Sequence, residues 1–154
     1  MAQSSGVGPC VGVGVLIVSP DNRLLYGKRK SSHGAGKYQL PGGHLEYGED
    51  PLDCAVREAE EETGLKIKAS KLVAVTNDVF ESDKKHYITL FAWCEATDPS
   101  AEPQTMEPDK CEGWSWATFE ELRALKGDSK PGDILFLPLD HLLSQTKDLE
   151  ALRP

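Results

Sequence analysis

The sequence predicts a single α/β domain in which a mixed β-sheet packs between helices. Three observations predict it. The length of 154 residues allows one domain. Several short runs of apolar and β-branched residues have the length of strands. One segment between them carries helix-capping residues at both ends. The order of strands, helix, strands and helix is typical of a sheet with helices on both faces.

The first third of the chain is expected to form strands. Residues 11–18 are a near-continuous β-branched run, which indicates a buried strand. A turn at residues 20–22 leads into a returning strand at residues 23–28. After a glycine- and serine-containing loop, residues 38–40 form a short extended segment. The chain then enters a proline-glycine-glycine turn.

A helix of thirteen residues is predicted next. Asp50 is a good N-cap, and Pro51 occupies the first helical position. Asp53 places negative charge in the first turn, where the helix dipole favours it. Gly64 ends the helix, because glycine adopts the left-handed conformation that follows many helices. On a helical wheel one face is apolar and is expected to be buried; its residues are Leu52, Ala55, Val56, Ala59 and Thr63.

The second half alternates strands, loops and helices. Thr118 and Glu121 form a capping box that opens a helix closed by Gly127. The remaining expectations are strands at residues 72–80, 86–96 and 114–116, a long irregular loop at 98–110, a loop with an apolar plug at 130–138, and a last helix at 139–152. Residues 1–9 are small and polar and are predicted to be a flexible tail, which leaves 10–154 as the domain.

Composition narrows the classes of partner. The net charge is −8, so the backbone of a DNA or RNA duplex and an anionic membrane are both disfavoured. A polyphosphate would also be repelled unless a cation mediates. The four cysteines form no C-x-x-C pair and have no histidine at zinc-finger spacing, so they are expected to be reduced and mostly buried. No signal peptide or membrane span is evident, so the cytoplasm is the expected location.

The predicted helix carries a cluster of carboxylates that a stability argument alone does not explain. Glu58 and Glu62 are one turn apart beside the apolar face, and Glu61 lies further around. Like charges at this spacing repel, and the C-terminal half of a helix disfavours anions. A magnesium ion would remove the conflict, because it takes oxygen ligands and bridges carboxylates to phosphates. A plain solvated acidic face is the alternative for these three residues taken alone.

The surrounding residues favour the metal. Gly43 is followed by five residues and Glu49, then by seven residues and the segment Arg57 to Leu65. The pattern G-x5-E-x7-R-E-U-x-E-E-x-G-U, where U is apolar, is met at all nine specified positions over 23 residues. This is the signature of the Nudix (MutT-like) hydrolase family, which the chain therefore resembles.

The resemblance implies a fold and a set of roles. The fold would be an α/β/α sandwich with a mixed sheet. Glu58 and Glu62 would be the principal magnesium ligands, with the Gly43 carbonyl as a further ligand, and Mn²⁺ could substitute. Glu61 would be a metal ligand or the general base. Arg57 would orient it, since the two residues are i, i+4 neighbours.

Weaker similarities extend over residues 10–140 to one subgroup, which contains a human nucleoside triphosphate diphosphatase and a plant relative. They lie at residues 12–15, 27–30, 39–46, 86–87, 107–108 and 114–116. Likeness to the human enzyme places four residues at the nucleotide: Arg29, Thr89, Phe136 and Leu137. Leu137 replaces an expected tryptophan, so base stacking is altered. Glu112 is a candidate distant carboxylate for the metals. The subgroup implies a homodimer.

The expected reaction is magnesium-dependent hydrolysis of a nucleoside triphosphate to a monophosphate and pyrophosphate. Modified or oxidised nucleotides such as 8-oxo-dGTP are included. One alternative is hydrolysis of a different diphosphate conjugate, such as NADH or a nucleotide sugar. The other is a sensing module that binds nucleotides without turnover. Retention of every carboxylate in the signature favours the enzyme.

Overall fold

The computed structural model describes residues 8–154, which form a mixed α/β fold as predicted. Residues 1–7 of the predicted tail lie outside this range. The elements in chain order are β1 (Cys10–Ile17), β2 (Leu24–Arg29), β3 (Tyr38–Gln39), β4 (Gly42–His44), α1 (Pro51–Thr63), β5 (Ile67–Phe80), β6 (Lys85–Ala96), β7 (Cys111–Ala117), α2 (Phe119–Lys126), α3 (Leu137–Gln145) and a 3₁₀-helix (Leu149–Leu152).

The strands form two sheets. The larger sheet has the order β4-β1-β6-β5 and is mixed, because β1 runs parallel to β6 while its other pairs are antiparallel. The smaller sheet, β3-β2-β7, is antiparallel. The predicted mixed sheet is therefore found in the four-stranded sheet. The parallel β1–β6 pair places the start of β1 next to the start of β6.

Helices cover the strands from two sides and complete the sandwich. The first core joins α1 to Val13, Val15 and Ile17 of β1. The second core joins α2, α3 and the 3₁₀-helix to Leu16 and Val18. Alternate residues of β1 thus enter opposite cores, which is the two-residue period of a strand buried on both faces.

Helix α1 has the caps that its sequence predicts. The Asp50 carboxylate accepts a hydrogen bond from the backbone N–H of Leu52, and Gly64 is left-handed with φ 73°. Of the predicted apolar face, Ala55, Ala59 and Thr63 are fully buried, whereas Leu52 and Val56 are partly buried. Cys54 is also fully buried, which the wheel did not predict. These anchors fix the side of α1 that the carboxylates occupy.

Several predicted elements differ from the structure, and one of them is β7, which spans Cys111–Ala117 rather than residues 114–116. Strand β5 begins at Ile67 rather than at residue 72, because register shifts around Ser70 and Val73 interrupt the alternation. Strand β4 was not predicted. The last helix does not run over residues 139–152. It begins at Leu137 and ends at Gln145, after which Thr146 is extended and Asp148 caps a separate 3₁₀-helix.

Two simpler properties follow from the described residues. None of the helices in residues 8–154 combines the length and the hydropathy needed to cross a membrane. All four cysteines are free thiols, and three of them are buried.

Candidate active site

A cavity of about 570 Å³ opens between β1, β4, β6, α1 and the start of α3. Eight of the ten residues singled out from the sequence line it, and they divide between its two ends. The end formed by α1 and β4 holds Gly43, Arg57, Glu58, Glu61 and Glu62. The end formed by β2, β6 and the segment before α3 holds Arg29, Thr89 and Phe136. The cavity is therefore acidic at one end and lined by larger, partly aromatic groups at the other.

At the acidic end, Glu58 and Glu62 face strand β4. The Glu62 carboxylate accepts a hydrogen bond of 2.8 Å from the backbone N–H of Gly42. A Cβ atom at Gly43 would overlap the Glu58 carboxyl group. Glycine at this position therefore lets the backbone of β4 approach Glu58 directly. The two carboxylates lie side by side under a strand whose backbone is close enough to share a ligand with them.

Arg57 is the cation that holds this end together. Its guanidinium forms a two-pronged ion pair with Glu49, with N–O distances of 2.8 and 3.0 Å. It also donates to Glu58 at 2.9 Å, whereas the distance to Glu61 is 3.4 Å. Arg57 therefore contacts Glu49 and Glu58 more closely than Glu61, the partner that the resemblance assigned to it. The ion pair lowers the pKa of Glu49 to about 2.

Burial and mutual repulsion make the paired carboxyls reluctant to ionise without a cation. Burial, followed by the negative charges of Glu58 and Glu107, raises the pKa of Glu62 to about 8. Burial also raises the pKa of Glu58, against the opposing effect of Arg57. The Glu61 side chain is more accessible than these two, with 52% of it exposed. Desolvated carboxyls crowded against each other are typical of sites that bind a cation or transfer a proton.

At the other end, Arg29 stabilises the loop between β2 and β3 through hydrogen bonds. Its guanidinium donates to the His33 carbonyl, to Gln39 and to Ser31 at 2.9, 2.5 and 3.1 Å. It also stacks on the Phe136 ring at 4.0 Å from the centroid. Arg29 lines the cavity, and three of its five N–H groups already donate hydrogen bonds within the protein.

Aromatic rings lie around the Arg29 side chain. His33, Phe80 and Phe136 contact one another edge to face or tilted, with centroids 4.6 to 5.4 Å apart. Tyr87 extends the group from Phe80 at 5.9 Å. Such a cluster offers flat apolar faces to a ring-shaped ligand. Of its members, only Phe136 was a sequence-based candidate for the pocket, because the other rings come from a loop and a hairpin whose distance is not readable from spacing.

Two candidates are placed elsewhere. Leu137 does not line the cavity; its side chain points toward Gly132, on the far side of the turn into α3. Glu112 is exposed, is not in the cavity lining, and lies 4.0 Å from Lys28. The cavity lining contains Glu107 instead, which raises the pKa of both Glu58 and Glu62. Of the two loop acids, Glu107 is thus the one that reaches the cavity, because the long loop folds back over the end of α1.

Comparison with known proteins decides the family. The model of the NUDIX domain matches residues 8–139 of this chain. The chain belongs to the NUDIX family. Among solved structures, a MutT NUDIX hydrolase from Burkholderia pseudomallei is 30% identical with a TM-score of 0.69, and the match covers 92% of this chain and all of that one. A MutT protein from Methanosarcina mazei, 23% identical with a TM-score of 0.70 over 92% and 97% of the two chains, supports the fold.

Curated relatives match only part of the NUDIX domain. An ADP-ribose pyrophosphatase from Methanocaldococcus jannaschii is 38% identical over 74 residues, which are 48% of this chain and 44% of that protein. An RNA pyrophosphohydrolase from Roseobacter denitrificans is 34% identical over 85 residues, which are 55% of this chain and 51% of that protein. The chain thus spans about half the length of the curated relatives it matches.

The acidic end fits a divalent cation of the kind that NUDIX hydrolases use. Within residues 8–154, no three His, Cys, Asp or Glu side chains already converge as a preformed metal cage. Magnesium does not need one, because it commonly binds one or two carboxylates and completes its shell with water and phosphate oxygens. Glu58 and Glu62 supply hard oxygen donors, and Gly43 leaves the β4 backbone within reach. The residues present therefore suit magnesium better than zinc, which prefers sulfur and nitrogen ligands.

The pKa of Glu62 predicts how the metal-free protein responds to pH. The folded value is about 8 and the ordinary value 4.5, so between them the folded state keeps a proton that the unfolded state has lost. Stability is therefore expected to fall as pH rises from about 5 to 8, and the melting temperature to drop by several degrees, at about 2–4 °C per kcal/mol. Thermal melts at four pH values, with and without MgCl₂, would measure this.

Magnesium should oppose the fall, because it stabilises the ionised carboxylate. The Glu62→Gln variant is the control, since it has no proton to lose at this position and its melting temperature should depend less on pH. An unchanged pH dependence in that variant would contradict the assignment to Glu62.

Proposed function

We propose that this chain hydrolyses nucleoside triphosphates, including modified or oxidised ones such as 8-oxo-dGTP, to a nucleoside monophosphate and pyrophosphate. One observation carries the proposal: a single cavity joins the paired carboxylates Glu58 and Glu62 to an aromatic end around Phe136. A triphosphate at the acidic end would place its nucleoside at the aromatic end. The volume of about 570 Å³ lies in the range of small-molecule sites.

Magnesium is the proposed cofactor, and Mn²⁺ is expected to substitute for it. Glu58 and Glu62 would hold it, with the Gly43 carbonyl as a further ligand. Bound there, the ion would neutralise phosphate oxygens and acidify the attacking water. A chain with a net charge of −8 needs such an ion to accept a polyphosphate.

Glu61 is the proposed general base. It lines the cavity and is exposed enough to contact water, whereas Glu58 and Glu62 are turned toward β4. Arg57 lies 3.4 Å from Glu61 and 2.9 Å from Glu58, so it would keep both carboxylates in place. Glu107 would add charge from the loop above α1, in the role expected of Glu112.

A diphosphate conjugate is the second candidate substrate. It is favoured by the similarity to an ADP-ribose pyrophosphatase, which is 38% identical over 74 residues. NADH and nucleotide sugars belong to the same class. A sensor without turnover is less favoured, because every signature carboxylate is present and three of them, Glu58, Glu61 and Glu62, line the cavity. Homodimerisation and a cytoplasmic location stay predictions.

The test is a substrate panel with magnesium, followed by chromatography of the products. The panel contains dGTP, 8-oxo-dGTP, ADP-ribose, NADH and a nucleotide sugar. Release of pyrophosphate and a monophosphate from a triphosphate, abolished by EDTA and restored by Mg²⁺ or Mn²⁺, is the expected result. Faster cleavage of a conjugate into two phosphate monoesters would establish the second candidate. Binding without turnover across the panel would establish the sensor.

A further inference from the structure

A buried carboxylate behind the cavity wall sets the hydrogen-bonding direction of a group that lines the cavity. Asp78 of β5 is fully buried, and its oxygens have three partners. The hydroxyls of Thr89 and Thr76 lie 2.6 and 2.9 Å from Oδ2, and Nδ1 of His141 lies 2.8 Å from Oδ1. Both hydroxyls donate these bonds, and the carboxylate oxygen Oδ2 accepts them.

The consequence falls on Thr89, because it alone of the two threonines lines the cavity. A threonine hydroxyl has one hydrogen, and Thr89 gives it to Asp78. Only lone pairs of its oxygen then remain for the cavity. A Cβ atom at residue 12 would lie 3.6 Å from that oxygen, so glycine at this position leaves the approach to it open.

We propose that Asp78 is a positioning residue that makes Thr89 an obligatory hydrogen-bond acceptor, so that the cavity selects nucleotides whose base presents an N–H or NH₂ group. A base without such a donor would remove water from the lone pairs of the Thr89 oxygen and give them no donor in exchange. A buried polar group left unpaired weakens binding more than a formed hydrogen bond strengthens it. The selection would therefore act mainly against donor-free bases.

Thr89 lies at the aromatic end of the cavity, where the base of a nucleotide is expected to bind. Thr89 of β6 and the neighbouring Phe91 lie on the face of the sheet that packs toward α3, whereas α1 and its carboxylates cover the other face. His141 lies on α3, five residues after Phe136, whose ring lines the cavity. The pairing of Asp78 with His141 thus links the acceptor on β6 to the helix that follows the aromatic end.

The inference rests on the proposed function only for the class of ligand, a nucleotide, and its test uses equilibrium binding rather than turnover. Calorimetry with magnesium would compare guanosine and adenosine 5′-monophosphates with purine riboside 5′-monophosphate, whose base has no N–H or NH₂ group. The wild-type protein is expected to bind the tighter of the first two at least about tenfold more tightly than the third. Equal binding of all three, or no binding, would overturn the inference.

Two variants of Thr89 test whether its hydroxyl, rather than the shape of its side chain, causes the preference. Thr89→Val should reduce the preference to within about threefold, whereas Thr89→Ser, which keeps the hydroxyl, should retain it. Thr76→Val is the matched control. This variant removes the other hydroxyl that donates to Asp78, and Thr76 does not line the cavity. The preference for bases with an N–H or NH₂ group should therefore stay unchanged. A preference that survives Thr89→Val would overturn the assignment.

Asp78 itself is tested as Asp78→Leu in the Thr76→Val background, which removes one hydroxyl that would otherwise lose its acceptor. The freed Thr89 hydroxyl could then donate, and the donor-free nucleotide should bind at least about fivefold more tightly relative to the others. An unchanged ratio in a folded variant would exclude Asp78 as the positioning residue. If this variant does not fold, the Thr89 pair decides.

Turnover measured in parallel keeps the two proposals apart. A donor preference that Thr89→Val abolishes, in a protein that hydrolyses nothing, would support the inference while the proposed function fails. Hydrolysis of triphosphates by a protein that binds all three monophosphates equally would support the function and overturn the inference.

Discussion

Glu58→Gln and Glu62→Gln are each expected to lower kcat/KM for a triphosphate by about 100-fold or more. Glutamine has nearly the same shape as glutamate but no charge, so the substitution removes the attraction to a divalent ion with little change in packing. The two carboxyls are crowded against each other and have raised pKa values, which a cation would reverse. Steady-state kinetics at saturating magnesium, together with calorimetric titration of magnesium in the presence of a nucleotide, would measure the effect.

Glu60→Gln is the matched control for both variants. Glu60 lies on the same helix and carries the same charge, but it is exposed and does not line the cavity. Its substitution should change kcat/KM by less than about threefold, since a distant surface charge is largely screened. A loss below tenfold for Glu58→Gln and Glu62→Gln would count against both as metal ligands. A loss of the same size for Glu60→Gln would show that the effect reflects the charge of the helix alone.

Helix α1 and its carboxylates were predictable because the information is local. Its caps, its buried face and the one-turn spacing of Glu58 and Glu62 all lie within fifteen residues, where the helical period fixes geometry. The eight cavity-lining candidates include every residue drawn from that segment. Strand β1 was predictable for a similar reason, because a continuous β-branched run has few alternatives.

The predictions that failed concern features formed by contacts between residues far apart in the sequence. Strand β4 has only three residues, two of them glycine, and is a strand because β1 lies beside it. Glu107 and Glu112 are both loop acids in the sequence, and only the fold of the loop over α1 brings Glu107 to the cavity. The group around Asp78 joins β5, β6 and α3, and its partners are up to 63 positions apart in the sequence. No local pattern indicates such a contact.

Asp140→Ala is expected to destabilise the protein by about 3 kcal/mol, because it leaves a cation and a backbone N–H without their acceptor. The Asp140 carboxylate is fully buried. It pairs with Lys126 at 2.6 Å and accepts from the Gly132 N–H at 2.9 Å. It thereby joins the end of α2, the following loop and α3. At about 2–4 °C per kcal/mol, the melting temperature should fall by roughly 6–12 °C.

The comparison that isolates burial is Glu150→Ala. Glu150 also forms an ion pair, with Arg153 at 2.8 Å, but both side chains are exposed, so the Glu150→Ala variant should lose far less stability than Asp140→Ala. Equal melting temperatures for the two variants would show that Asp140 contributes no more than a surface acid.

Because the loop held by Asp140 leads directly to Phe136 at the cavity, the Asp140→Ala variant should also raise KM for the substrate more than it lowers kcat. Kinetics below the melting transition would show whether this contact supports the aromatic end of the site as well as the fold.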